Sequence, residues 1–160
     1  PDPLHHVGQR EDDDIGVGRR EGDPMEFFLD PNVQMKVMRA VIPALMAVLF
    51  AQSGLDKGFD FQGNLSWMTS HFSKTILKGI VRPSLLAITL LELAAAVFCA
   101  AGALVILISG STVAAFWGLI IAAATLIALF AGQRIAKDYP GAATIAMYAG
   151  IAVLGIFVMR

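Results

Sequence analysis

The sequence has few of the residues from which most catalytic centres are built. It contains a single cysteine, Cys99, so a catalytic dithiol pair is excluded. Of its three histidines only His71 lies near the apolar segments, which excludes a haem held by two histidines at membrane depth. We find no glycine-rich phosphate loop and no G-x-S-x-G elbow. We therefore expect no metal site and no complete catalytic apparatus in this chain alone.

Charge is also scarce. Only 16% of the 160 residues are charged, whereas 56% are hydrophobic. The net charge is −1 and the sequence has no block of basic residues, so we expect no nucleic-acid partner. Between Pro83 and Gln133, Glu92 is the one acidic or basic side chain, and 142–159 has none. Uncharged segments of about 18 or more residues are long enough to cross a bilayer. The chain is therefore predicted to be an integral membrane protein with the lipid bilayer as its first partner.

The apolar segments predict an all-α membrane protein, an antiparallel bundle of four transmembrane helices. The expected spans are 35–55, 84–108, 112–132 and 142–159. Only "SGST" separates the second span from the third, so these two should form a tight hairpin. The membrane domain is accordingly expected over 35–160.

Residues 1–34 precede this domain as a polar, acidic tail. The tail is rich in Asp, Glu, Gly and Pro and has no apolar period, so it should be disordered by itself. We expect residues 1–30 to lie against the soluble surface of a partner subunit.

The first loop, 56–82, is too long for a simple connection. Apolar side chains recur in it at helical spacing, which predicts an amphipathic helix over 65–77 on the membrane surface, with Asn64 as its N-cap. The face toward the apolar side would be formed by Leu65, Met68, Phe72 and Ile76. The alternative is a lid packed over the end of the bundle.

An antiparallel bundle places the first and third loops on the same side of the membrane. This gathers a polar cluster, which could be a quinone site or a structural one: Gln52, Asp56, Lys57, Glu92, Gln133, Arg134, Lys137 and Asp138. Glu92 is predicted to be a buried hydrogen-bond lock to Gln52 or Arg134, because a carboxylate in the membrane needs a partner. The alternative is a proton or quinone-headgroup partner. The third span should end at Gly132, with Arg134 turning inward and Lys137 and Asp138 at the surface.

Three stretches resemble the DoxX family of small bacterial membrane proteins: "SGLDK", "LLELAAAVFCAAGA" and "GQRIAKDYPGA". The resemblance covers about 40–159. It implies a four-helix bundle in the bacterial inner membrane, associated with membrane redox chemistry; some members are quinone-linked subunits of thiosulfate-oxidising enzymes. Lys and Arg close to the helix ends favour a cytoplasmic side for the first and third loops, although counting the whole tail leaves the two sides equal.

Two functions are compatible with these features. The first is an accessory subunit of a larger membrane electron-transfer assembly, which binds other membrane subunits through helix packing and the tail. Its support includes two stripes of small residues, Ala124, Ala128 and Gly132 and then Ala142, Ala146 and Gly150. The alternative is a quinone-reactive subunit of a membrane oxidoreductase. For the first function we expect no cofactor bound by this chain alone. For the alternative we expect a quinone or a lipid.

Overall fold

The computed structural model describes residues 28–160, so most of the predicted tail lies outside the described residues. Within 28–160 the chain folds into five α-helices, four of them long and apolar enough to cross a membrane. The bounds are α1 Pro31–Phe59, α2 Phe61–His71, α3 Val81–Ser109, α4 Val113–Ala136 and α5 Tyr139–Val158. The protein is an all-α, multi-pass membrane bundle.

Each long helix extends beyond the span expected from its uncharged residues. The 29 residues of α1 measure about 43 Å, more than the roughly 30 Å of a hydrocarbon core. At its start, Pro31 occupies the first turn, and the carboxylate of Asp30 accepts a hydrogen bond from the Asn32 amide at 2.8 Å. At its end, the helix continues through Lys57 to Phe59. Helical hydrogen bonding thus persists into the headgroup region, where charge is tolerated.

Helix α3 lies at the centre of the bundle. It packs against α1 and α4, and α5 packs mainly against α4. The expected tight hairpin is confirmed: Gly110 ends α3 with φ of 80°, and α4 begins at Val113. Small residues bring the two helices close, because a Cβ added to Gly102 would collide with the backbone of Ala115. The core is built from residues of α1, α3, α4 and α5, among them Phe50, Ile106, Leu119 and Ala152.

Large apolar side chains cover the outside of the bundle. Val48, Val97, Ile127 and Leu154 are each more than half exposed. On a water-soluble monomer such a surface would cause aggregation, whereas in a bilayer it contacts lipid tails. The small-residue stripes also face outward in part, since Ala124, Ala128, Ala146 and Gly150 are exposed while Ala142 is buried. The contact between α3 and α4 is made by other small residues.

The first loop contains the expected short helix, with bounds that differ from the prediction. Helix α2 runs from Phe61 to His71, and the chain then proceeds through turns to Val81. Its N-cap is Asp60, whose carboxylate accepts from the Gly63 amide at 3.0 Å, and not Asn64. Ile76 is 86% exposed and Phe72 is buried, so the apolar face does not continue through 76. A run of turn hydrogen bonds, such as Thr75 N to Phe72 O, replaces the helix there.

Candidate functional site

A cavity of about 820 Å³ lies at the loop end of the bundle, beneath α2. Its volume is typical of small-molecule sites. Side chains from all five helices line it, together with Phe72 and Leu77 from the turns after α2. We call α2 with Phe72 and Leu77 the lid, because side chains of this segment form one wall of the cavity. Apolar residues form most of the wall, including Leu49, Phe50, Met68, Val81, Ile88, Leu91, Leu126, Leu129, Ile135 and Ile145.

A hydrogen-bonded group of three side chains forms part of the cavity wall. Lys57 Nζ lies 3.1 Å from Glu92 Oε1 and 3.0 Å from Oε2, and it also donates to Ser53 Oγ at 2.6 Å and to the Ser53 carbonyl at 3.2 Å. The Ser53 hydroxyl in turn donates to Glu92 Oε1 at 3.0 Å. The three ammonium protons of Lys57 are therefore fully engaged within this group.

The burial of the Glu92 carboxylate explains why it needs a cationic partner. The Glu92 side chain is 1% exposed and that of Lys57 is 18% exposed. Glu92 lies eleven residues after Val81, about 16 Å along α3, and an unpaired carboxylate at membrane depth costs roughly 2.5–3.5 kcal/mol. Lys57 occupies the last turn of α1, where a cation also interacts favourably with the negative helix end. Glu92 is thus a buried lock between α1 and α3.

The predicted partners of this lock were wrong. Gln52 is exposed, because it lies about 100° around the helix from Ser53, the residue whose side chain bonds Glu92. Arg134 is also exposed, and its guanidinium stacks over the Tyr139 ring at 4.8 Å instead of turning toward Glu92. Lys57, another member of the predicted polar cluster, is the actual partner.

The other predicted residues share the same end of the bundle without all reaching the cavity. Gln133 lines it together with Lys57 and Glu92, whereas Asp56 is exposed. Lys137 is exposed, and Asp138 caps α5, with its carboxylate accepting from the Gly141 amide at 3.0 Å. Of the eight residues, three therefore line the cavity.

Helix α4 continues four residues beyond its predicted end at Gly132. It ends in a Schellman motif, in which the Asp138 amide bonds the Gln133 carbonyl at 2.9 Å and the Lys137 amide bonds the Arg134 carbonyl at 3.2 Å. Lys137 adopts the left-handed conformation, with φ of 63°, that glycine usually supplies. The dense polar segment is therefore a compact connection that ends α4 and starts α5.

Sequence reasoning did not identify Trp67 and His71 of the lid as residues of the site. The His71 ring stacks on Trp67 with centroids 4.8 Å apart and meets the Phe72 ring edge-on at 5.1 Å. His71 Nε2 is buried and has no hydrogen-bond partner among residues 28–160. The spacing of four residues between Trp67 and His71, and between Ser53 and Lys57, was the available signal.

Metal-ligating side chains do not cluster in the described part of the chain: no group of three or more His, Cys, Asp or Glu could hold an ion there. Comparisons with protein-family models, with curated proteins and with solved structures find no match to this chain. The DoxX resemblance therefore stays a prediction, and the cavity is the feature of the described residues that bears most directly on function.

Proposed function

We propose that this protein binds a lipid-soluble, uncharged ligand of the quinone class, with a planar conjugated ring, in the cavity beneath the lid, as a subunit of an electron-transfer assembly in a bacterial inner membrane. The observation that supports this most directly is a ligand-sized apolar cavity with polar groups in its wall, in a chain whose outer surface contacts lipid. The bacterial setting and the redox assembly follow from the DoxX resemblance.

Charge favours a neutral head group on the ligand. Of the described residues that line the cavity, Lys57 is the one lysine or arginine and Glu92 the one carboxylate, and they neutralise each other. An anionic lipid head would find no free cation there, and a cationic head would find no free carboxylate. A quinone, which is uncharged and soluble in the bilayer, matches this arrangement.

Aromatic side chains favour a planar head group. The wall includes Phe50, Trp67, His71, Phe72 and Tyr148. Rings of this kind stack on a planar π-system or meet it edge-on, which contributes about 0.5–1.5 kcal/mol per pair beyond the buried area. The remaining wall is aliphatic and suits an isoprenoid tail.

Tryptophan fluorescence tests this proposal on the purified protein in lipid nanodiscs. Trp67 lines the cavity, whereas Trp117, the other tryptophan, does not. We expect a short-tailed ubiquinone analogue to quench the emission saturably in the parent protein and in Trp117→Phe, and the saturable part to disappear in Trp67→Phe. Quenching that rises linearly with quinone in all three proteins, as partition into lipid produces, would refute the proposal.

A matched pair of alanine variants locates the binding in the cavity. Ala87 and Ala100 both lie on α3, but only Ala87 lines the cavity. Ala87→Phe should weaken quinone binding at least tenfold by filling the site, and Ala100→Phe should leave it within twofold of the parent. Equal effects of the two substitutions would place the ligand elsewhere. Retention of a tightly bound phospholipid that quinone does not displace would assign the cavity to lipid.

The second candidate is an accessory subunit without a ligand of its own. The outward position of Ala146 and Gly150 on α5 favours it, because exposed small residues allow another membrane helix to approach closely. In this case Gly150→Ile should reduce recovery of the chain with its host complex, whereas Val153→Ile on the same helix should not. Unchanged recovery of the Gly150→Ile variant would count against a helix contact there.

A further inference from the structure

Two neutral polar atoms at the cavity lack partners. Within 28–160, the buried side-chain oxygen and nitrogen atoms without a hydrogen bond are His71 Nε2, Gln133 Oε1 and Glu92 Oε2. Glu92 Oε2 is compensated by the ammonium of Lys57 at 3.0 Å. His71 Nε2 and Gln133 Oε1 have no such compensation, and both residues line the cavity. A buried polar atom without a partner has lost its hydrogen bonds to water, so a ligand that pairs with it gains affinity.

The two residues come from elements that meet at the rim of the cavity. His71 ends α2 and Gln133 lies in the last turn of α4. Their chain neighbours Phe72 and Gly132 approach each other, since the tip of the Phe72 ring lies 3.8 Å from the Cβ position of residue 132. The edge-on contact with Phe72 and the stacking on Trp67 fix the His71 ring in this place. The two side chains therefore line the same part of the cavity rim.

The chemistry of the two atoms defines what they bind. The Gln133 amide nitrogen lies on the side of the Asp138 carboxylate, since Nε2 and Asp138 Oδ2 both come within 3.1 Å of a Cβ built on Gly141. An amide oxygen only accepts hydrogen bonds, so the partner of Gln133 Oε1 must donate one. A neutral imidazole nitrogen donates or accepts according to its tautomer. A quinone has carbonyl oxygens and no donor, so its oxygen against Gln133 Oε1 would set two acceptors against each other. The hydroxyl groups of a quinol both donate and accept.

We propose that His71 Nε2 and Gln133 Oε1 both hydrogen-bond the head of the ligand, and that the Gln133 acceptor selects its reduced form, the quinol, over the quinone. This inference rests on the proposed quinone-class function. One hydrogen bond to an otherwise unpaired buried acceptor corresponds to about a tenfold difference in dissociation constant. By linkage, a tenfold preference raises the midpoint potential of the bound two-electron couple by about 30 mV.

Three ligands with the same tail test this on the parent protein without any substitution: the quinone, the quinol and the dimethyl ether of the quinol, which keeps the ring and lacks the donors. Binding is measured anaerobically from the saturation of Trp67 quenching. We expect the quinol to bind about tenfold more tightly than either other ligand. Equal dissociation constants for the three ligands, or tighter binding of the quinone than of the quinol, would overturn the preference for the quinol and leave the proposed function standing. Absence of saturable binding by all three would overturn both.

Variants then assign the preference to its residues. Gln133→Met removes the acceptor at similar size and should abolish the preference by weakening quinol binding alone. His71→Phe keeps the stacking on Trp67 and should weaken both quinol and quinone, because a nitrogen that donates serves either oxygen. Gln52→Met, at an exposed position outside the cavity, is the control and should change neither. Persistence of the tenfold preference in Gln133→Met would show that Gln133 does not supply it.

Discussion

Lys57 and Glu92 lie 35 positions apart in the chain, and the ammonium of one stands 3.0–3.1 Å from both carboxylate oxygens of the other. The contact joins the last turn of α1 to a buried site on α3, and Ser53 completes it by donating to the same carboxylate. A partly buried ion pair of this kind depends on both members, because removing one leaves a charge without compensation.

A double-mutant cycle should detect this pairing. We expect Lys57→Met to lower the free energy of unfolding by about 2–3 kcal/mol, since it leaves the Glu92 carboxylate buried and unpaired. Glu92→Gln should cost about 1–2 kcal/mol, because the amide keeps one hydrogen bond. The double variant should cost at least 1 kcal/mol less than the sum, measured by denaturant titration in mixed micelles.

Arg134→Met is the control for this cycle. Its guanidinium lies over Tyr139, so its effect should add to that of Glu92→Gln within about 0.5 kcal/mol. Additivity of Lys57→Met with Glu92→Gln, or coupling of Arg134→Met with it, would contradict the ion pair described here.

Glycine at 102 should be indispensable to the contact between α3 and α4. A Cβ at this position meets the backbone of Ala115, which cannot rotate away, so Gly102→Ala must push the helices apart. We expect a loss of about 1–3 kcal/mol in the free energy of unfolding. Gly150→Ala is the matched control. Within 28–160, no atom beyond its chain neighbours and its own helix backbone lies within 4 Å of the added Cβ, and alanine favours helix, so stability should stay equal or rise by up to about 1 kcal/mol. Equal effects of the two substitutions would be inconsistent with the close approach.

The left-handed residue after α4 offers a stabilising substitution. Lys137 has φ of 63°, a conformation that costs an L-residue about 1–2 kcal/mol and that glycine adopts freely. Lys137→Gly should therefore raise the free energy of unfolding by about 0.5–1 kcal/mol, after allowance for the greater freedom of glycine in the unfolded chain. Gly110→Ala, at φ of 80°, should lower it by about 1 kcal/mol. A lower unfolding midpoint for Lys137→Gly would disprove this assignment.

The number and type of helices could be predicted from the sequence because a bilayer imposes a length and a composition on every span. The residues at which the helices begin and end could not be predicted equally well. Charged and polar residues such as Lys57 and Gln133 end the uncharged run without ending the helix, since backbone hydrogen bonding continues in the headgroup region. Gly132, expected to stop α4, lies inside it.

The site was predictable only in part, for a similar physical reason. Topology brings the ends of α1, α4 and the start of α3 together, so Lys57, Glu92 and Gln133 could be placed in one region. The partner of Glu92 is decided by the rotation of each helix about its axis and by the length of each side chain. Gln52 and Arg134, the partners that the sequence indicated, are exposed. The cavity itself arises from the lid, and the lid changes from helix to turns at His71, where no glycine or proline marks the change.

The lid should open independently of the bundle when its anchor is removed. Phe72 is 7% exposed and packs toward Gly132 on α4, while Phe59, near the other end of the lid, is 87% exposed. We expect Phe72→Ala to speed hydrogen exchange of the α2 amides at least tenfold and to leave α3 and α4 unchanged, because few other buried contacts hold α2. Phe59→Ala should leave the exchange of α2 within twofold of the parent. The measurement is hydrogen exchange followed by mass spectrometry in nanodiscs. Faster exchange throughout α3 and α4 in Phe72→Ala would show that Phe72 belongs to the global core and that the lid is not a separate opening unit.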